Sequence, residues 1–227
     1  MTKILAIDTS LRHGSVALAL DGEIISSRLL PRETRSAQSL APAVKEILAE
    51  HAWLPGQLDA LGVTIGPGSF TGVRVGVTFA KVFCYAANVP IVGLTSLELI
   101  AAQAKGVDGE LHVVLDAQRS DLFQQAFRIE EGVVTAISEP SVLPGEQWLG
   151  QVAEIKTVAV SGAGLAKFRE HLPQHVKVVE EQCWEPSALT LALLAQQAFV
   201  SGRRDDAWKI LPLYLRASAA EEKTAPN

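Results

Sequence analysis

The chain has 227 residues, 48% hydrophobic and 20% charged, which is enough for one domain or two small lobes around a sizeable core. Its net charge of −5, with no dense Lys/Arg run, argues against strong RNA binding by this chain alone. No apolar stretch approaches the ~20 residues of a bilayer span. Two cysteines without metal-ligand spacing, and no signal-peptide pattern after Lys3, predict a cytoplasmic protein.

In chain order, residues 3–8 read as a buried strand ending in Asp8. Two further strands, 15–20 and 23–30, flank an Asp21-Gly22 turn of the hairpin type. A helix is predicted over 36–50, with Leu40, Val44, Ile47 and Leu48 on one side and Pro42 early in its course. A strand at 60–65, a helix at 71–87, a short strand at 91–93 and a helix at 96–105 follow.

The second half repeats the order. A strand at 111–115 ends in Asp116, strands at 122–129 and 133–138 flank Glu131-Gly132, and helix-prone segments lead to a strand at 157–160. A Gly turn at 161–164 precedes a helix starting near Leu165, and a long apolar helix spans 187–201. This order, twice, is a duplicated α/β architecture. It predicts two ribonuclease-H-like lobes, as in the actin, hexokinase and heat-shock chaperone ATPase superfamily. The expected division is an N-terminal lobe at 1–105, a C-terminal lobe at 106–207, and a segment at 208–227 that packs back on the first lobe before a polar, mobile tail.

Between strand and helix stands Gly66-Pro67-Gly68-Ser69-Phe70-Thr71-Gly72-Val73-Arg74. Glycines there imply a sharp bend or a close approach, Ser69 or Thr71 can cap the helix, and the helix start favours an anion. The stretch is no dinucleotide fingerprint, because Thr71 holds the last Gly position, and no P-loop, because Val73-Arg74 follow Gly72. It is no nucleophile elbow, because Pro67 and Thr71 flank Ser69. His171 and His175 have a ligand-like spacing, but Pro173 stands between them, and they read as surface histidines. His13, His51 and His112 offer no triad. Arg203-Arg204, near Lys209 and Arg216, is the densest basic cluster and reads as solvated surface.

The wording of the glycine stretch, continued by Val75-Gly76, resembles the signature of the TsaB (YeaZ) family. So do residues 5–10, 89–98, 116–120 and 212–216; the resemblance runs from residue 1 to about 216. It implies a subunit needed for threonylcarbamoyladenosine formation in tRNA, with TsaC supplying threonylcarbamoyl-adenylate and TsaD transferring the group. It implies TsaD as heterodimer partner, TsaE as an ATPase joining the pair, a homodimer as the other pairing, tRNA contact only through the complex, and no membrane. The interface it implies is Gly66, Pro67, Gly68, Ser69, Phe70, Thr71, Gly72 and Arg74, with Gly76 and Ala80. Gly72, Gly76 and Ala80 recur every four residues as a ridge open to another helix, either 36–50 of the same lobe or one of a partner chain; on the partner reading Gly76→Leu is expected to weaken a complex and spare the fold. The family often has a His before the preceding helix, where this chain reads Arg32-Glu33-Thr34-Arg35-Ser36.

Superfamily ATPases use the Asp ending each first strand near Mg²⁺ and phosphate, and usually place Gly two residues later. Here Asp8 is followed by Thr9 and Ser10, and Asp116 by Ala117 and Gln118. The expectation is a degenerate nucleotide cleft at Asp8, Thr9, Ser10, Asp116, Gly162 and Gly164. No metal, no cofactor and no catalytic residue are expected: the chain alone binds ATP weakly or not at all, and the alternative is a weak ATP/ADP site shared with a partner. The alternatives are an ATPase or kinase using Asp8, and a peptidase, for which no nucleophile–base pair can be named.

Overall fold

A computed structural model of the chain describes residues 1–216 apart from Arg12, Arg32, Thr34 and Arg35. The expected mobile tail, and Arg32, Thr34 and Arg35 just before the first helix, lie outside the described residues.

The chain divides into two compact units, Met1–Leu99 with Pro186–Leu213, and Ile100–Glu185 with Tyr214 onward. The first contains β1 (Lys3–Asp8), β2 (Ser15–Leu20), β3 (Glu23–Leu29), α1 (Ser36–Glu50), β4 (Ala60–Thr64), α2 (Phe70–Ala87) and β5 (Ile91–Leu94). α3 (Ser96–Gln103) straddles the division. The strand order is β3-β2-β1-β4-β5, with β3, β2 and β1 antiparallel and β1, β4 and β5 parallel. Asp21 and Gly22 both have positive φ, the backbone that a two-residue hairpin needs to match strand twist.

Alternation along the strands builds two cores. Leu5, Ile7, Val16, Leu18, Leu61 and Val63 face α1 and α2, whereas Ile4, Ala6, Ala17, Ala19 and Ala60 face the opposite way. That second layer is covered by α5 (Ala188–Val200), through Ala188, Leu191, Ala192 and Ala195. The sequence reading put this helix in the second lobe, and the structure corrects it. Small residues on both sides decide the matter: a Cβ on Gly62 of β4 would lie 2.7 Å from the Ala195 Cβ and 3.4 Å from Leu191 Cγ. Residues 203–213 then continue along the first unit, where Asp205 bridges Ile91 and Leu213 N donates to Ile65 O at 2.7 Å.

The second unit repeats the sheet. It holds β6 (Gly109–Asp116), β7 (Asp121–Glu130), β8 (Val133–Ala136), β9 (Ser141–Pro144), α4 (Gly145–Glu154), β10 (Val158–Ser161) and β11 (Lys177–Val178). The order β11-β10-β6-β7-β8 mirrors the first sheet, with β9 pairing β7. Two ribonuclease-H-like sheets with matching strand sense give the duplicated α/β fold that the element order predicted. Trp148 and Val152 of α4 pack on Val114, Leu122, Val158 and Val160. The helix expected near Leu165 is instead two short 3-10 turns, Ala163–Lys167 and Arg169–His171, and the chain turns extended at Leu172 before Pro173. β9 and β11 were not anticipated, being short edge segments with little apolar alternation.

Leu191→Ala is expected to cost about 2–5 kcal/mol, the range for emptying a fully buried leucine site. Hydrogen exchange should quicken at β1, β2 and β4 and stay unchanged at β6 and β7; the reverse pattern would place α5 elsewhere. Cys84 of α2 is buried in the first core, and desolvation pushes its thiol up to about 12. Iodoacetamide at pH 8 should therefore label half-buried Cys183 well before Cys84 in the folded chain. Because the folded value lies above the unfolded one, Cys84's contribution is intact below pH 9 and is lost as pH rises from about 9 toward 12.

Candidate functional site

The glycine stretch closes around the turn that follows β1. Ser69 N donates to Ser10 O at 2.7 Å, and Thr9 Oγ1 donates to Gly72 O at 2.7 Å. Ser69 is the N-cap of α2: its hydroxyl accepts from Gly72 N at 3.3 Å, and its carbonyl from Val73 N at 2.9 Å. The helix start thus spends donors on its own chain where an anion was expected. A Cβ on Gly68 would overlap Ser10 O, and one on Gly72 would overlap Thr9 O, so both positions must be glycine for the strands of backbone to meet. The Gly66–Pro67 peptide is cis, and Gly66 O accepts from Ser96 N at 2.8 Å, tying the motif to α3.

Asp8, Thr9 and Ser10 are each at most 1% exposed. Asp8 Oδ1 accepts from Ser10 N at 3.0 Å and from Ser10 Oγ at 2.7 Å. Ser10 therefore fills the position where a superfamily ATPase offers bare backbone to phosphate. β1, β4 and β5 run parallel, and at their carboxyl ends Thr64 and Ser96 carry buried hydroxyls with no protein partner. Neither hydroxyl had a sequence signal beyond its position at a strand end.

The small-residue ridge does not face outward. Gly72, Gly76 and Ala80 are buried, and a Cβ on Gly76 would overlap Thr9 Oγ1. A leucine at 76 would break the fold, contrary to the expectation from spacing, which gives a ridge but not the side it faces. What α2 turns outward is Thr71, Arg74, Thr78, Val82, Tyr85 and Ala86. One flank of this face is apolar, with Val75, Phe79 and Phe83 half-buried and the two phenyl rings 5.9 Å apart. The other flank carries Arg74, whose guanidinium lies 4.3 Å from the Phe70 ring, and Lys81.

In the second unit, Asp116 is partly exposed. Its Oδ1 accepts from Lys167 Nζ and Gln118 N, both at 2.8 Å. Gln118, Arg119 and Ser120 all have positive φ, a costly turn for residues with side chains. Gly162 and Gly164 press on the backbone of β6, where Cβ atoms would overlap Val114 O and approach Leu115 C at 3.0 Å. Their role is close packing of the turn against β6. Arg216, quoted for the resemblance, donates to Ala117 O at 2.9 Å and pairs with Asp121 at 3.1 Å. Among the described residues no group of three or more His, Cys, Asp or Glu is placed to hold a metal, and no helix is long and apolar enough to cross a membrane.

A family model described as "TsaD: tRNA N6-adenosine threonylcarbamoyltransferase" matches residues 26–224. The chain is 30% identical to the "tRNA threonylcarbamoyladenosine biosynthesis protein TsaB" of Haemophilus influenzae, over 97% of this chain and 96% of that one. It is 30% identical to the Bacillus subtilis protein of the same name over 66% of each chain. Among solved structures, "YeaZ from Pseudomonas aeruginosa" superposes with a TM-score of 0.79 at 26% identity, covering 95% of this chain and 100% of that one.

The contact between α2 and the β1 turn has a direct test. Gly76→Ala is expected to destabilise the protein by about 1–3 kcal/mol, the usual cost of overpacking, despite alanine's better helix propensity. In a Thr9→Ala background the obstructing hydroxyl is gone, and the same change should become neutral or stabilise by up to about 1 kcal/mol. Equal costs in both backgrounds, measured by urea unfolding, would contradict this packing.

Proposed function

The chain belongs to the TsaB (YeaZ) family, and from that premise we propose that it is a non-catalytic subunit required for threonylcarbamoyl transfer to the adenosine beside the anticodon of tRNA. The observation that carries this reading is the filled turn after β1. Asp8 is fully buried and bonded to Ser10, and the glycines that would cradle a phosphate elsewhere are occupied by Thr9 and Ser10 of the same unit. An ATPase using Asp8 needs that carboxylate near metal and phosphate; this supports the partner reading over the enzyme. The chain alone binds ATP weakly or not at all, and a site completed by the partner is the alternative.

The partner is TsaD, the transferase, and TsaE joins the pair. The apolar flank of α2 supports a protein partner, because Val82 is 64% exposed beside half-buried Val75, Phe79 and Phe83. The interface is therefore this flank with Phe70, Thr71 and Arg74, and the buried Gly72, Gly76 and Ala80 serve it by fixing the helix. A homodimer through the same face is the resting alternative to the TsaD pair. The chain works in the cytoplasm, where tRNA is modified.

Nucleoside mass spectrometry of tRNA from cells depleted of this protein is expected to show loss of threonylcarbamoyladenosine. Normal levels would sink the reading. Val82→Glu should leave unfolding stability within about 0.5 kcal/mol, as for an exposed site. Placing a charge in an apolar contact should at the same time weaken co-elution with TsaD at least tenfold. Tight Mg²⁺-dependent ATP binding by the isolated chain in a calorimeter would restore the ATPase.

A further inference from the structure

β5 closes one end of the first sheet, and its sequence Ile91-Val92-Gly93-Leu94 carries no charge. Such an edge is a template for another strand unless something covers it. Leu61 N and Ile65 N of the neighbouring chain take the carbonyls of Pro90 and Leu94. By alternation, Ile91 and Gly93 point their backbone groups outward. Gly93 has no side chain to shield them, and a Cβ there would lie 2.6 Å from Ile210 Cδ1 and 2.9 Å from Ile65 Cγ2. β3, at the opposite edge, carries Glu23 and Arg28 and lies beside a register shift at Leu18/Ala19. β5 has neither charge nor bulge.

The segment after α5 covers the edge in an unusual way. Asp205 forms a single antiparallel bridge with Ile91, donating its N–H to Ile91 O at 2.9 Å. The same register sets Arg203 opposite Gly93. A further strand would pair the two backbones there, but the Arg203 N–H is already committed. It donates to Ala198 O at 2.9 Å, and Gly202 N, with φ 96°, donates to Phe199 O at 3.0 Å. These two bonds are the Schellman closure of α5. Side chains supply the missing rung. Gly93 N donates to Asp205 Oδ2 at 2.7 Å, and Arg203 Nη2 donates to Gly93 O at 2.6 Å. The two side chains also pair with each other at 3.2 Å. Hydrogen bonds to ion-paired side chains are the stronger kind. Beyond Asp205 the chain turns away, as Trp208 N donates to Asp206 Oδ1 and Ile210 N to Asp206 O, both at 2.8 Å.

We propose that Arg203 and Asp205 form a side-chain lock on the outer edge of β5, which keeps that edge from pairing with β5 of a second copy of this chain. Register and chemistry identify the partner. Run antiparallel across a two-fold axis at Val92, two copies of β5 set Ile91 of each against Gly93 of the other, so every outward donor and acceptor is met. The strand is uncharged in both copies, so no like charges face each other within the pair. With the lock absent, the N–H and carbonyl of buried Gly93 lose their partners, and buried peptide groups must find others. A cavity of about 330 Å³ beside Gly93, lined by Ile65, Arg203, Asp205, Ile210 and Leu211, leaves room there, so hydrogen bonds and not bulk hold the edge. For a strand to enter, the bridge at Ile91 O must yield together with the lock. The inference is independent of the reading above.

The test follows self-association of the full-length chain by sedimentation velocity, throughout in a Val82→Glu background so that the outer face of α2 does not contribute. Asp205→Ala is expected to tighten self-association at least tenfold. Hydrogen exchange at β5 in that variant should slow as protein concentration rises. Asp205→Asn keeps an oxygen for Gly93 N and should stay at the background level. Arg203→Ala frees Gly93 O alone; it should give a smaller rise, and it carries the test where Asp205→Ala does not fold. In the background chain itself the Gly93 amide should be protected, at a rate independent of concentration; exchange as fast as in an open peptide would mean that no lock exists. Background-level association in folded Asp205→Ala and Arg203→Ala would leave the contact a structural one and overturn the proposal. So would association as strong in Asp205→Asn as in Asp205→Ala, or association with β5 exchange independent of concentration.

Discussion

The first unit is organised by one close approach, that of the α2 backbone to the turn after β1. Thr9 reaches across to Gly72 O, and Ser10 O takes the Ser69 N–H. A side chain at 68, 72 or 76 would push the helix off the turn. With the helix seated this closely, its rotation is fixed, because Val73, Val77, Ala80 and Cys84 can only enter the core shared with α1. The outward face follows as the remainder. The glycines of the stretch thus act on the helix: they set its pose, and other residues form its outer face.

Duplication makes the chemistry of the site comparable within one molecule. Asp8 and Asp116 end equivalent central strands of equivalent sheets. The first is sealed under Ser10, and the second is partly solvated and neutralised by Lys167. The turn after Asp116 pays for three positive-φ residues and holds Arg216 through Ala117 O. Where superfamily ATPases place a glycine two residues after the Asp, the two repeats carry Ser10 and Gln118, and each bonds its own Asp.

Much of the fold was legible because period and punctuation agreed. Helix 36–50 and strands 3–8 and 15–20 fall where alternation and the Asp21-Gly22 turn put them. The misassignment of α5 has a physical cause. The helix is apolar on most sides, so its pattern demands burial without naming the sheet, and the choice is made by Gly62 on a strand far away in sequence. The ridge at 72, 76 and 80 failed for the same reason: four-residue spacing says that a small surface exists, not whether Thr9 or a foreign helix occupies it. Ser10's part was half legible, since its place two residues after Asp8 was noted, but its bond to the carboxylate needed the structure.

Whole-chain charge says little about any one face of the molecule. At physiological ionic strength a charge is felt over about 8 Å, so the net charge of the whole chain says little about the surroundings of any one cation. What matters is the local sum, and α2 itself contains no Asp or Glu. The two flanks of one helix therefore present different chemistry to a partner, apolar through Val75, Phe79 and Phe83, and aromatic and basic through Lys81 and Tyr85. Both are positioned by the seating of α2 on the β1 turn through Thr9 and Ser10, so a change that loosens that turn should disturb both surfaces together, whereas a change on either flank should disturb only one.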